Sequence, residues 1–249
     1  MSGHSKWHSI KHKKGAADAK RGKIFTRHGN LITISARQGG DTDSNPGLRL
    51  AIENAKKENV PNANIDRAVK RGTGELKDAA EIAEVLYEGY GPGGIAVMVE
   101  CLTDNKNRSL TNIRTIFNKK GGSLGALGSV AWMFKRKGII TVSLEGKSAD
   151  DIELSAIDAG AEDIKNEDGV IEIHTDPSNL NAVNDNLKKE GIETENAEVL
   201  LVPDDTIKIE DENVALKILE FMDNLEEDMD VMNVSSNFDI DESVMDKLS

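Results

Sequence analysis

Apolar positions recur at roughly helical spacing over residues 15–38, through Ala16, Ala17, Ala19, Ile24, Phe25, Leu31 and Ile34. Gly22 and Gly29 weaken that helix by about 1 kcal/mol each relative to alanine, and Gly39-Gly40 ends it. A second helix is signalled at Asn45-Pro46: asparagine caps free amides, and proline at the first helical position loses no hydrogen bond. It runs through Leu48, Ile52 and Ala55 to Pro61. A third starts near Asn62 or Asn64, passes Ile65, Ala68 and Val69, and stops at Gly72.

From about residue 83 the pattern alternates. Ile95, Val97, Val99 and Cys101 share one strand face, and Ala96, Met98, Glu100 and Leu102 the other. Asp104 or Asn105 then caps a helix that buries Ile113, Ile116 and Phe117. The glycine-rich stretch GGSLGALGS leads to an expected strand, SVAWMFK. Next come GIITV as a strand, ADDIELSAIDAG as a helix, AEDIKNED and GVIEIHT as strands, SNLNAVNDNLKKEG as a helix and AEVLLVP as a strand. That βαββαβ order is the order of a ferredoxin-like unit. A helix, NVALKILEFMDNLEE, and a strand, DVMNVSSNF, follow. With residues 85–137 they complete a second βαββαβ unit, into which the first is inserted.

The expected fold class is therefore α+β, with three domains. Residues 1–74 form a basic arm and a three-helix domain. Residues 75–137 and 206–249 form a discontinuous α/β domain. Residues 138–205 form an inserted ferredoxin-like domain.

Charge changes the picture. The chain of 249 residues has a net charge of −13, yet residues 1–72 carry 15 Lys+Arg against 6 Asp+Glu. The remainder carries 16 against 38. A basic module on an acidic body implies an anionic partner at the basic end, and nucleic acid is the expected one. The densest part is MSGHSKWHSIKHKKGAADAKRGKIFTR, where Lys6, Lys11, Lys13, Lys14, Lys20, Arg21, Lys23 and Arg27 face one acid, Asp18. With His12, these are the candidate phosphate contacts. Arg67, Lys70 and Arg71 join them from the third helix; cations there also complement a helix C-terminus. Two readings of Trp7 stand side by side: stacking on a base, or docking onto the helical domain.

Other chemistry finds little support. His4, His8 and His12 are spaced i, i+4, i+8, but on a helix the outer pair would lie about 12 Å apart at 1.5 Å per residue. One zinc needs donors within about 2.1 Å, and lysines crowd the stretch, so no metal and no cofactor is expected. Gly89-Tyr90-Gly91-Pro92-Gly93-Gly94 fits a dinucleotide pattern, but it precedes a strand instead of opening a helix, and reads as a turn. GGSLGALGS lacks the Lys-Ser/Thr of a phosphate loop and also reads as a turn, with backbone amides that could meet a phosphate. Cys101 continues an apolar strand face and reads as a core residue. The single cysteine excludes an internal disulfide. A nuclease or hydrolase would need a carboxylate cluster or nucleophile set that the sequence does not display. No apolar run approaches the roughly 20 residues of a membrane helix, and no apolar stretch at the start suits a secretory signal. A cytoplasmic protein with no membrane partner is expected.

Several stretches together resemble one family. GHSKW with KHKK, DAKRGKIFTR, NPGLRLAIENAKKENVP, NIDRAVKRGTG, YEGYGPGGIAVMVECLTDNKNR and GSVAWMFKRKG are similar, in this order, to the YebC/PmpR family. The likeness is dense from Gly3 to about Gly138 and continues as a domain pattern to the end. One departure is Gly29, in a stretch the family usually continues as unbroken helix, and it bears on the straightness of the first helix. The resemblance implies one helical and two α/β domains and a cytoplasmic gene-expression factor without catalysis. Family members are described as DNA-binding transcriptional regulators and as ribosome-associated translational activators. DNA and ribosomal RNA both stay open as partners, because phosphate contacts fix position without reading sequence.

Overall fold

The computed structural model describes residues 18–76, 80–144, 148–167 and 169–248. Three helices come first: α1 (Asp18–Ala36), α2 (Pro46–Lys57) and α3 (Asn62–Gly72). Asn45 explains the start of α2. Its side-chain oxygen accepts from the Leu48 amide at 3.0 Å, while its side-chain nitrogen donates to the Ser35 and Gly39 carbonyls, both at 2.8 Å. The cap of one helix therefore also binds the end of the previous one. Helix α1 passes unbroken through Gly22 and Gly29. The Thr33 hydroxyl donates to Gly29 O at 2.8 Å and lies 3.3 Å from Ala68 O in α3. Ile32, Ala36, Leu48, Ala55, Val60, Ile65 and Ala68 close a small core between the three helices. Gly72 sits where α3 meets α1: a Cβ there would lie 2.3 Å from Thr33 O and 2.6 Å from the Ala36 Cβ. Only glycine allows that approach.

The chain then forms β1 (Ala83–Tyr90), β2 (Ala96–Thr103), α4 (Lys106–Lys119), β3 (Ser123–Leu124), β4 (Phe134–Ser143), α5 (Ala149–Ala159), β5 (Asp163–Glu167), β6 (Val170–Thr175), α6 (Leu180–Lys189), β7 (Asn196–Pro203), β8 (Ile207–Ile209), α7 (Glu212–Glu226), β9 (Val231–Ser236), β10 (Phe238–Ile240) and α8 (Glu242–Leu248). It divides into two compact units. One combines Ala80–Lys135 with the chain from Leu201; the other combines α1–α3 with Arg136–Leu200.

In the first unit the sheet runs β3-β1-β2-β9, with antiparallel neighbours throughout. Helices α4 and α7 pack with the face that carries Ile95, Val97, Val99 and Cys101. The Phe117 and Phe221 rings meet edge-on there, 5.0 Å apart at 87°. Ala96 and Met98, on the other face, are buried with Val130, Phe134 and Leu201. Both faces of β2 are therefore covered, as its apolar alternation on each side requires. A short parallel pair, β8 and β10, lies beside this core.

In the second unit the inserted sheet runs β5-β6-β4-β7, the ferredoxin-like order, with α5 and α6 over Ile140, Val142, Ile171 and Ile173. The α+β class stands, with a helical start followed by two four-stranded sheets. Among the described residues no helix is long and apolar enough to cross a membrane.

Two details differ from expectation. The first sheet is not threaded βαββαβ. It opens with the β1–β2 hairpin, whose glycine turn (Gly93 at φ 73°, Gly94 at φ 77°) joins adjacent strands directly. The threading is ββαβαβ, and its strands, numbered along the chain, stand third-first-second-fourth, where those of the inserted unit stand second-third-first-fourth. Second, SVAWMFK is not a strand of its own. Ala131–Met133 is a 3-10 turn, and β4 runs unbroken from Phe134 through the expected GIITV strand. The Val130 and Ala131 amides are not available to a ladder, because they donate to the Glu88 carboxylate.

Candidate nucleic-acid interface

Of the residues singled out by charge, Lys6, Trp7, Lys11, His12, Lys13 and Lys14 lie outside the described residues. Lys20, Arg21, Lys23 and Arg27 fall in α1, and Arg67, Lys70 and Arg71 in α3. Helix geometry sorts them. Phe25, Ile32 and Ala36 recur on the buried side of α1. Positions 23 and 27, spaced i, i+4, lie on the opposite side. Arg21 is exposed; Lys23 and Arg27 are half-buried. In α3, Ile65, Ala68 and Gly72 face the core, and Arg67, Lys70 and Arg71 occupy the reverse face. Arg67 and Lys70 are exposed and Arg71 is half-buried. The Thr33–Ala68 contact and the Gly72 approach hold the two helices together, so two basic faces belong to one small core.

The histidine next in line adds no charge. Burial, reinforced by the neighbouring Arg27 cation, pulls His28 down to about 4, so it is neutral near pH 7. Arg27 itself reaches Glu198 of β7 at 3.5 Å.

Helix α2 is committed elsewhere. Arg49 pairs with Asp185 at 3.1 Å, and Glu53 pairs with Lys188. The Lys57 ammonium donates to Thr194 O at 2.7 Å, and the Asn54 side chain to Ala197 O at 2.9 Å. Leu50 packs into the core of the inserted sheet. Single exposed ion pairs contribute about 0–1 kcal/mol. Here they line one seam with an apolar anchor, and Arg49 has its counter-ion within it. Among the cations of α1 and α3, Arg21, Arg67 and Lys70 are exposed.

The two glycine motifs are structural. Gly89–Gly94 is the β1–β2 turn, with the Gly91 amide donating to Ile95 O at 2.8 Å. In the second motif the amides that could have met a phosphate already hold an anion. Glu88, 2% exposed, accepts from the amides of Gly128 at 2.8 Å, Val130 at 3.0 Å and Ala131 at 2.9 Å. Burial raises the tendency of this carboxyl to take a proton, but the three amides more than offset it and hold the group below its ordinary value. Cys101 is buried, and burial pushes its thiol up to about 12, which suits a core residue.

Charge totals for large segments conceal one further feature. Residues 105–144 contain eight Lys+Arg and no Asp or Glu, although they lie inside the acidic body. This stretch carries Trp132, whose side chain is 72% exposed. Its charge is hidden in the total for the residues after 72, where 38 acids outnumber 16 bases.

Comparison with known proteins agrees with this organisation. Residues 5–75 match the profile of the TACO1/YebC protein N-terminal domain, and residues 82–238 that of the TACO1/YebC second and third domain. A probable transcriptional regulatory protein of Treponema denticola is 53% identical over 97% of this chain and 98% of its own. One from Persephonella marina is 50% identical, with all of both chains covered. The crystal structure of a conserved hypothetical protein from Aquifex aeolicus superposes with a TM-score of 0.88 at 45% identity, covering 94% of this chain and 96% of that one. Matched along nearly its whole length, the chain belongs to the TACO1/YebC family.

Proposed function

We propose that this protein is a non-enzymatic, cytoplasmic regulator of gene expression that docks on nucleic-acid phosphate through its N-terminal arm and helical domain. One observation supports the reading: Arg21 of α1 and Arg67 and Lys70 of α3 are exposed, and the α3 pair stands on the face turned away from Ile65 and Ala68. The arm supplies four more lysines, Lys6, Lys11, Lys13 and Lys14, with no acid before Asp18. Trp7 and His12 add groups that can stack on or hydrogen-bond to a base.

Ribosomal RNA is the preferred target. A chain with 38 acids after residue 72 is repelled by naked duplex over most of its surface. A ribosome offers dense phosphate beside basic proteins, and so suits both halves of the chain. Promoter DNA is the second reading, favoured by relatives called probable transcriptional regulatory proteins.

The test is a quadruple reversal, Lys13→Glu, Lys14→Glu, Lys20→Glu and Arg21→Glu. It should abolish nucleic-acid binding without changing the melting temperature. In the wild type, log K should fall with log salt by about 0.7 per phosphate on single strands and about 0.9 on duplex. Binding retained by the quadruple variant would refute the proposal.

A further inference from the structure

Trp132 and Tyr90 share one hydrogen-bond acceptor. The indole Nε1 donates to Ser129 O at 3.2 Å, and the Tyr90 hydroxyl lies 3.4 Å from the same oxygen. Their polar ends are thereby turned to the backbone, while the side chains stay 72% and 38% exposed. Leu127, on the same loop, is 84% exposed. Val130 roots the loop in the apolar cluster with Ala96, Met98, Phe134 and Leu201. The loop is held from beneath by Glu88, through the amides of Gly128, Val130 and Ala131. The Gly125 amide also donates a hydrogen bond to Glu88 O at 2.7 Å. A buried carboxylate is a costly anchor. What it secures is an exposed tryptophan in a fixed position, which is the form an aromatic contact takes when it is organised before binding.

The charge around it selects the partner. The loop lies within the acid-free residues 105–144. Gly122 sits against the Tyr90 carbonyl, so α4 ends beside the same strand with Lys119 exposed. Lys135, three residues past Trp132, is exposed and pairs with Asp204 at 2.9 Å. A surface pair of that kind is worth little and exchanges readily for a phosphate. Cations beside exposed flat rings match a strand that offers both phosphate and unstacked bases. Duplex bases are already stacked on one another, so the rings need an unpaired strand.

We infer that Trp132, steadied beside Tyr90 by Ser129 O and the Glu88-anchored loop, is a stacking platform for an unpaired base of single-stranded RNA, a second contact apart from the N-terminal arm. The inference rests on the RNA reading above, and the test separates the two. In a Trp7→Phe background Trp132 is the sole tryptophan. Titration of that full-length protein with a short single-stranded RNA should quench its emission. Trp132→Ala should weaken the RNA about 5- to 100-fold, as expected for loss of one stacked base. Trp132→Phe should restore much of the affinity, and neither variant should change the melting temperature. The same RNA annealed to its complement should bind more weakly and quench less.

Unchanged emission together with unchanged affinity of Trp132→Ala overturns the platform, even where the arm reversal still abolishes binding. Wild-type protein that binds no RNA overturns both proposals. Loss of ribosome association in Trp132→Ala with unaltered RNA affinity assigns the patch to a protein surface and overturns the base-stacking inference.

Discussion

Replacing Glu88 by alanine should cost more stability than any exposed acid in the chain. The carboxylate is 2% exposed and receives three amide hydrogen bonds of 2.8–3.0 Å. Each bond to a charged acceptor is worth about 1.5–3 kcal/mol, and each amide left buried without a partner costs about 1–3 kcal/mol. Relief from burying the charge offsets part of that loss. Gly128 is exposed, so its amide can find water, whereas the Val130 residue is fully buried. A net loss of about 2–4 kcal/mol follows. At about 2–4 °C per kcal/mol for a chain of this size, the melting temperature should drop by roughly 4–16 °C. Calorimetry at pH 7 measures the drop, and Trp132 emission in the Trp7→Phe background reports the loop.

The pH dependence has a definite sign. The folded-state pKa of Glu88 lies below its ordinary value of 4.5. Its ionisation therefore stabilises the fold above that value, and the contribution is lost as pH falls through the lower folded-state value. The gap between wild type and Glu88→Gln should narrow as the pH is lowered through this window. An alanine variant that melts with the wild type, with Trp132 emission unchanged, would refute the anchoring role.

Gly72→Ala should destabilise the helical region by about 1–3 kcal/mol, because its new methyl meets Thr33 O at 2.3 Å; thermal unfolding followed by circular dichroism checks it. Cys101 should resist a thiol reagent at pH 8 in the folded state and react promptly in guanidinium, because burial keeps the thiol protonated. Phe117→Ala should cost about 3–5 kcal/mol, because it empties a fully buried site against Phe221, measured by urea unfolding.

The elements that sequence marks chemically are the ones it locates well. Asn45-Pro46 starts α2 where the cap hydrogen bond lies, and Asn105 caps α4 with its side chain on the Arg108 amide at 3.0 Å. Gly169, at φ 85°, turns β5 into β6. Covered on both sides, β2 reads correctly because each of its faces is apolar. What periodicity cannot register is a long-range polar contact. Glu88 is one acid among 44 until the fold places three amides on it. That contact also explains why SVAWMFK, apolar enough for a strand, bends into a turn first. The threading of the first sheet was hidden for a related reason: alternation identifies strands, not their neighbours. As for the candidate site, net charge pointed to the N-terminal module. It could not reveal that Arg49 and Lys57 are consumed by the inserted domain, since their partners stand more than 130 residues away.

The central claim is that the basic module brings an acidic protein to RNA. Crosslinking in cells, with sequencing of both bound RNA and bound DNA, tests it most directly. The account predicts crosslinks to ribosomal RNA that disappear when residues 1–27 are deleted, with only scattered DNA reads. Strong crosslinks at discrete promoters, with none to ribosomal RNA, would contradict it.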